Sequence, residues 1–79
     1  MMDIFNELQI IFRDVFNDSE MVLTDELSAN DVSDWTSLTH VMLLATTEER
    51  FGIKFSTKEI RRMKNVGDFV SCIKNKVNA

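Results

Sequence analysis

The sequence predicts an all-α protein, a small four-helix bundle with three long helices, one short helix and a long loop between the first two. In three long segments, apolar residues recur at the i, i+3, i+4, i+7 spacing of an amphipathic helix. No segment shows the period-two alternation that is typical of strands. The 79 residues include no proline and two glycines, which favours helices joined by polar connections. This length predicts one domain, residues 1–79.

The first helix is predicted over residues 3–16. Its apolar positions follow the helical spacing without a miss and form one stripe, which we expect to face the core. The stripe consists of Ile4, Phe5, Leu8, Ile11, Phe12, Val15 and Phe16. The polar residues 17–19 end the helix.

A polar loop is predicted over residues 17–36, which are rich in Asp, Asn, Ser and Thr. A connection of this length is uncommon in a compact domain and is often functional. Leu23, Leu27 and Val32 are spaced as isolated anchors that pin the loop to the core. A short helical turn is expected near residues 25–27.

The second helix is predicted over residues 37–51, and it carries two apolar stripes. Thr36, or Ser37 itself, can cap its N-terminus, and Gly52 stands where a left-handed C-terminal cap belongs. One stripe consists of Leu43, Leu44, Thr47 and Phe51, and the other of Leu38, Val41, Met42 and Ala45. Because one small core cannot cover both, we expect the second stripe to be an exposed docking surface.

Two further helices complete the predicted bundle. The short one covers residues 56–63, where Ser56 and Glu59 have the spacing of a capping box. The last covers residues 65–77 and is capped by Asn65. Its expected core face consists of Val66, Phe69, Val70, Ile73 and Val77.

Charge divides the chain into an acidic part and a basic part, although the net charge is only −4. Residues 1–49 carry eleven acidic side chains and one basic side chain. Residues 50–79 carry eight basic and two acidic ones, and the basic ones include Lys58, Arg61, Arg62 and Lys64 of the third helix. Such a charge dipole can orient an approaching partner.

Composition argues against several classes of protein. Cys72 is the only cysteine, which excludes a disulfide within the chain and favours a reducing, cytoplasmic setting. No apolar run reaches the roughly 18 residues that a membrane span needs, and no secretory signal is expected. With one histidine and no metal-ligand spacing, we expect no catalytic residues, no metal site and no enzymatic activity.

The chain resembles the acyl carrier protein family over nearly its whole length. Two motifs carry the resemblance, and they are separated by the distance that is usual in the family. Ser37-Leu38 follows an acidic loop and precedes Val41 and the segment 48–53, and residues 65–69 resemble the Val-Gly-Asp segment that opens the family's last helix. The resemblance implies that a phosphopantetheinyl transferase, with its own Mg²⁺, attaches a covalent 4′-phosphopantetheine arm from coenzyme A to Ser37. The arm would then carry acyl groups as thioesters to acyl-transferring, condensing or modifying enzymes of fatty acid, polyketide or related biosynthesis.

Two features depart from the family pattern. Thr36 stands where family members usually have aspartate, which can weaken recognition by a general transferase or can merely exchange one capping residue for another. The second helix keeps acidic character only at Glu48 and Glu49. We therefore expect a carrier of a specialised pathway that docks more through apolar contact than through acidic steering. We also expect the protein to be a monomer. The expected docking residues are Leu38, Val41, Met42, Ala45, Glu48 and Glu49.

The residues alone leave other interpretations open. Ser37 can be only a helix N-cap, in a non-catalytic helical protein-interaction domain or, with less support, in a nucleic-acid-binding domain that uses the basic third helix. The acidic pI near 4.8 opposes nucleic acid as a partner. Glu48 and Glu49 can be ordinary solvated charges. His40 is expected to be partly buried with its hydrogen bonds satisfied, and Trp35 to pack the loop onto the bundle.

Overall fold

The computed structural model describes residues 3–77, and within them the chain forms four helices. They are α1 (Ile4–Val15), α2 (Ser37–Phe51), α3 (Thr57–Arg62) and α4 (Val66–Val77). The predicted all-α class is confirmed, and each helix begins and ends within one residue of its expected bounds. Residues 1–2 and 78–79, which the predicted domain includes, lie outside the described part.

Short side chains set the start of every helix. Each helix is preceded by a residue whose side-chain oxygen accepts a hydrogen bond from a backbone N–H of the first turn. These residues are Asp3, Thr36, Ser56 and Asn65. At the other end of α2, Gly52 adopts a left-handed conformation with φ +66°. Because a Cβ at this position would meet open space, the constraint that favours glycine is the backbone angle alone.

The core is built from α1, α2 and α4 around a cluster of aromatic rings. The Phe12 ring meets Trp35 edge-on at a centroid distance of 5.3 Å and Phe69 edge-on at 5.8 Å. The other side chains that are almost fully enclosed are Leu8, Ile11, Leu43, Thr47, Val66 and Ile73. None of the six residues of α3, all of them described, is buried, so the buried Met63 that follows and Phe55 that precedes anchor this helix.

The loop over residues 16–36 is fastened to the core by buried side chains and to α4 by backbone hydrogen bonds. Leu23 is 3% exposed, and the two other predicted anchors are partly buried. The Val66 N–H donates to the Leu27 carbonyl and the Gly67 N–H to the Asp25 carbonyl, each at 2.9 Å. A Cβ on Gly67 would lie 3.2 Å from the Asp25 carbonyl oxygen, a tight contact that would push the loop back by a few tenths of an ångström, so this close approach favours glycine.

Residues 25–26 form a single turn at the position where a short helical turn was expected, closed by the bond from the Leu27 N–H to the Thr24 carbonyl at 3.2 Å. One detail of the predicted fold is wrong. Val77 is 41% exposed, although the helical spacing placed it on the core face of α4. Ile73 is the last buried residue of α4, so the final turn extends past the packed part of the bundle.

Candidate functional site at the start of α2

Ser37 is the first residue of α2, and its side chain is exposed. The capping bonds belong to its neighbours. Thr36 Oγ1 accepts from the Thr39 N–H at 3.4 Å, and Thr39 Oγ1 accepts from the Thr36 N–H at 2.7 Å. The alternative in which Ser37 is only the N-cap is therefore wrong, because Thr36 holds that position and leaves the serine hydroxyl free for another role.

The electrostatic setting of Ser37 favours a negatively charged group on this side chain. The first turn of a helix presents backbone N–H groups without partners inside the helix, and the helix dipole adds a partial positive charge there. The first turn of α2 contains no acidic residue that would cancel this effect. The backbone N–H groups and the helix dipole at the start of α2 would therefore stabilise a phosphate ester on Ser37.

A hydrogen-bonded pair of rings brackets Ser37 in the sequence. The Trp35 indole Nε1–H donates to His40 Nδ1 at 3.1 Å, and the two rings stack at a centroid distance of 6.2 Å. Trp35 is 6% exposed and packs the loop onto the bundle, as the sequence predicted. Burial lowers the pKa of His40 below its usual value, which favours the neutral ring that can accept this bond.

The polar groups near Ser37 are not arranged for nucleophilic catalysis. His40 Nδ1 already accepts from the indole, so it is not available as a general base. Far from this site, burial raises the pKa of the Cys72 thiol, whose Sγ donates to Glu59 Oε2 at 3.5 Å. Within residues 3–77 no group of three or more His, Cys, Asp or Glu side chains is placed to hold a metal ion.

An open hollow of about 690 Å³ adjoins Ser37. Its walls are mainly apolar and come from both the loop and α2. The lining residues are Ala29, Trp35, Thr36, Ser37, His40 and Val41. Sequence reasoning did not identify Ala29, because the path of an irregular loop cannot be read from periodicity. The hollow gives a group attached to Ser37 room to lie against the protein surface.

The two predicted stripes of α2 are separated as expected. Leu43, Leu44 and Thr47 are buried and Phe51 is partly buried. The opposite stripe is exposed, with Leu38 at 72%, Val41 at 61% and Met42 at 45%, and Ala45 is exposed as well. We call these four residues the exposed α2 patch. An apolar patch on a small domain is typical of an interaction surface.

The two glutamates near the end of α2 differ in their surroundings. Glu49 is exposed, as expected. Glu48 is only partly exposed, and its Oε2 accepts a hydrogen bond from the Phe55 N–H at 2.8 Å. The interpretation as an ordinary solvated charge is therefore wrong for Glu48. Its carboxylate holds the connection between α2 and α3, a non-local contact that helical spacing does not reveal.

Comparison with solved structures finds a match over nearly the whole chain. The solution NMR structure of a holo acyl carrier protein from Geobacter metallireducens superposes with a TM-score of 0.92 and 42% sequence identity. The match covers 98% of this chain and 88% of the other. No protein-family model and no curated protein matches. In the part of the chain that the structure describes, no helix is long and apolar enough to cross a membrane.

Proposed function

Because the chain belongs to the acyl carrier protein family, as its 42% identity to a holo carrier over 98% of its length shows, we propose that Ser37 is the attachment point of its arm. Proteins of this family are carriers and not enzymes, so the chemistry belongs to the arm and to partner enzymes. The proposed arm is a covalent 4′-phosphopantetheine from coenzyme A. Its terminal thiol would hold acyl groups as thioesters.

One observation carries this proposal: Ser37 is an exposed serine at the first position of α2, next to a threonine that already caps the helix. In the transfer, Ser37 Oγ would attack the phosphorus of coenzyme A that bears pantetheine and lose its proton. The new phosphodiester would form as the adenosine bisphosphate leaves. Since His40 Nδ1 is engaged by Trp35, the phosphopantetheinyl transferase would supply the base. The transferase would also supply Mg²⁺, because residues 3–77 hold no group of three or more His, Cys, Asp or Glu side chains placed to bind a metal ion.

The threonine at position 36, in place of the family's aspartate, affects the fold less than it affects recognition by a transferase. Thr36 closes a capping box with Thr39, so it performs the capping that an aspartate would perform. What the substitution removes is a negative charge beside Ser37. We therefore propose that any selectivity among transferases arises from this missing charge, with the start of α2 unchanged.

The exposed α2 patch is the proposed contact for partner enzymes, which would be the transferase and the acyl-transferring, condensing or modifying enzymes of the pathway. Glu49 is the better candidate for an ionic contact, because the Glu48 carboxylate is bonded to the Phe55 N–H. A specialised biosynthetic pathway related to fatty acid or polyketide synthesis agrees with this mainly apolar surface. The cytoplasmic setting, the monomeric state and the exclusion of nucleic acid partners stay predictions.

Intact-mass spectrometry tests the attachment site. After incubation with coenzyme A and a broad-specificity phosphopantetheinyl transferase, the wild-type chain should gain the mass of one phosphopantetheine. Ser37→Ala should gain none, whereas Ser33→Ala, which changes an exposed serine of the loop, should be modified like the wild type. The proposal fails if several transferases leave the wild type unmodified, or if Ser37→Ala is modified. A stable partner complex that is insensitive to Ser37→Ala would favour a pure interaction domain.

A further inference from the structure

Five exposed cationic side chains lie on and around α3. We call them the basic α3 face, and they are Lys54, Lys58, Arg61, Arg62 and Lys64. The three within the helix have the spacing i, i+3, i+4, which places them on one side. The one acidic residue of α3 is Glu59, and its Oε1 forms an ion pair with Lys76 Nζ of α4 at 2.9 Å. The positive charge of this face is therefore not neutralised by α3 itself.

The surrounding contacts fix the position of this face. Phe55 is 9% exposed, and its N–H donates to Glu48 Oε2, which ties the start of α3 to the end of α2. Met63, immediately after α3, is 6% exposed. The ion pair between Glu59 and Lys76 holds the middle of α3 against α4. The charges are thus presented by a preorganised helix, which reduces the entropy lost on binding.

We propose that the basic α3 face is a docking site for an acidic patch on the enzymes that use this carrier, an inference that rests on the proposed function. The exposed α2 patch would supply apolar contact, and the α3 cations would steer the encounter and set its register. Arg61 and Arg62 suit this role, because guanidinium groups bind carboxylates through two parallel hydrogen bonds. Carboxylate-bearing protein surfaces are therefore the matching partner chemistry.

The distribution of charge favours a protein surface over nucleic acid or a bilayer. Residues 1–49 carry eleven acidic side chains, and six of these are exposed on the loop. An extended polyanion would meet this acidic half together with α3, whereas a local patch on a protein can meet α3 alone. The six residues of α3 span about 9 Å, and the exposed face they present is cationic without apolar side chains that insert into a bilayer.

The test begins with crosslinking in the native cell. A photoreactive benzoylphenylalanine replaces Arg61 in the full chain, and in a control it replaces Lys74, an exposed cation of α4. Peptides crosslinked through position 61 should come from biosynthetic enzymes and carry an excess of Asp and Glu. The KM of the identified enzyme for the carrier is then measured with Arg61→Glu and with Lys74→Glu, each fully converted to the holo form.

Arg61→Glu should raise KM about tenfold with kcat unchanged, and reversing the crosslinked acidic residue of the enzyme to Arg should restore it. Lys74→Glu, which changes the net charge equally, should have less than about a twofold effect. Equal effects of the two variants, or no rescue, would overturn the inference. So would Arg61-dependent binding at physiological salt to duplex DNA or to phosphatidylglycerol vesicles. If the wild type takes up no arm, the proposed function fails before this test begins.

Discussion

The hydrogen bond between Trp35 and His40 can be tested by replacing His40 with Leu. This change keeps an apolar side chain of similar size and removes the acceptor of the indole N–H. Because Trp35 is 6% exposed, its N–H would be left largely without a partner. An unsatisfied buried donor costs roughly 1–3 kcal/mol. His40→Asn is the matched control, since its amide oxygen can take the place of Nδ1, and it should cost less than about 1 kcal/mol.

Urea unfolding followed by fluorescence measures these costs directly, because Trp35 is the only tryptophan. With a urea slope of about 1 kcal/mol per M for a domain of this size, the midpoint of His40→Leu should fall by about 1 M or more. Repeating the urea titrations at several pH values separates the contribution of the His40 imidazole to stability from the contribution of side-chain packing. Burial lowers the pKa of His40, so the unfolded chain takes up a proton at a higher pH than the folded chain.

The free energy of unfolding of the wild type should therefore decrease as the pH falls through the usual histidine pKa of about 6.5. Both variants should lack this contribution. Equal midpoints for His40→Leu and His40→Asn would refute the importance of the acceptor. A loss below about 0.5 kcal/mol for His40→Leu would show that water replaces the bond, which contradicts the enclosure of the indole.

Two other predictions concern stability. Gly52→Ala should lower the free energy of unfolding by about 1–2 kcal/mol, because a residue with a Cβ is strained at φ +66°. Gly52→Asn should lower it less, since asparagine tolerates this conformation better. Thermal unfolding measures both changes, and wild-type stability in both variants would contradict the prediction. The hydrogen bond from the Ser56 N–H, with help from Lys76, lowers the pKa of Glu59 to about 2. The stability from this carboxylate should be present above its unfolded pKa of about 4.3 and lost as the pH falls toward 2. Because Glu59→Gln lacks this contribution, its melting temperature should fall less than that of the wild type over the same pH range.

Helix bounds were predictable from the sequence because they depend on local chemistry. Thr36, Gly52, Ser56 and Asn65 act within one turn of their own position, so the spacing of residue types was enough to place the ends of α2, α3 and α4. The division of α2 into a buried and an exposed stripe was predictable for a similar reason. Two apolar faces on one helix cannot share a single small core.

Contacts between distant residues were beyond the sequence pattern. The tie from Glu48 to Phe55 and the bonds from the first turn of α4 to the loop depend on where the chain returns in space. The exposure of Val77 depends on where the neighbouring elements end. At the candidate site, motifs pointed to Ser37, whereas its freedom from capping became visible only with the side-chain bonds of Thr36 and Thr39.

The exposed α2 patch also affects how readily copies of the protein associate with each other. Leu38, Val41 and Met42 give each copy of the protein an exposed apolar surface through which two copies can associate. At neutral pH the net charge of −4 adds a repulsion between copies that opposes association through their patches. That repulsion vanishes near the isoelectric point of about 4.8. We therefore expect self-association through the exposed α2 patch to increase as the pH is lowered from neutral toward the isoelectric point.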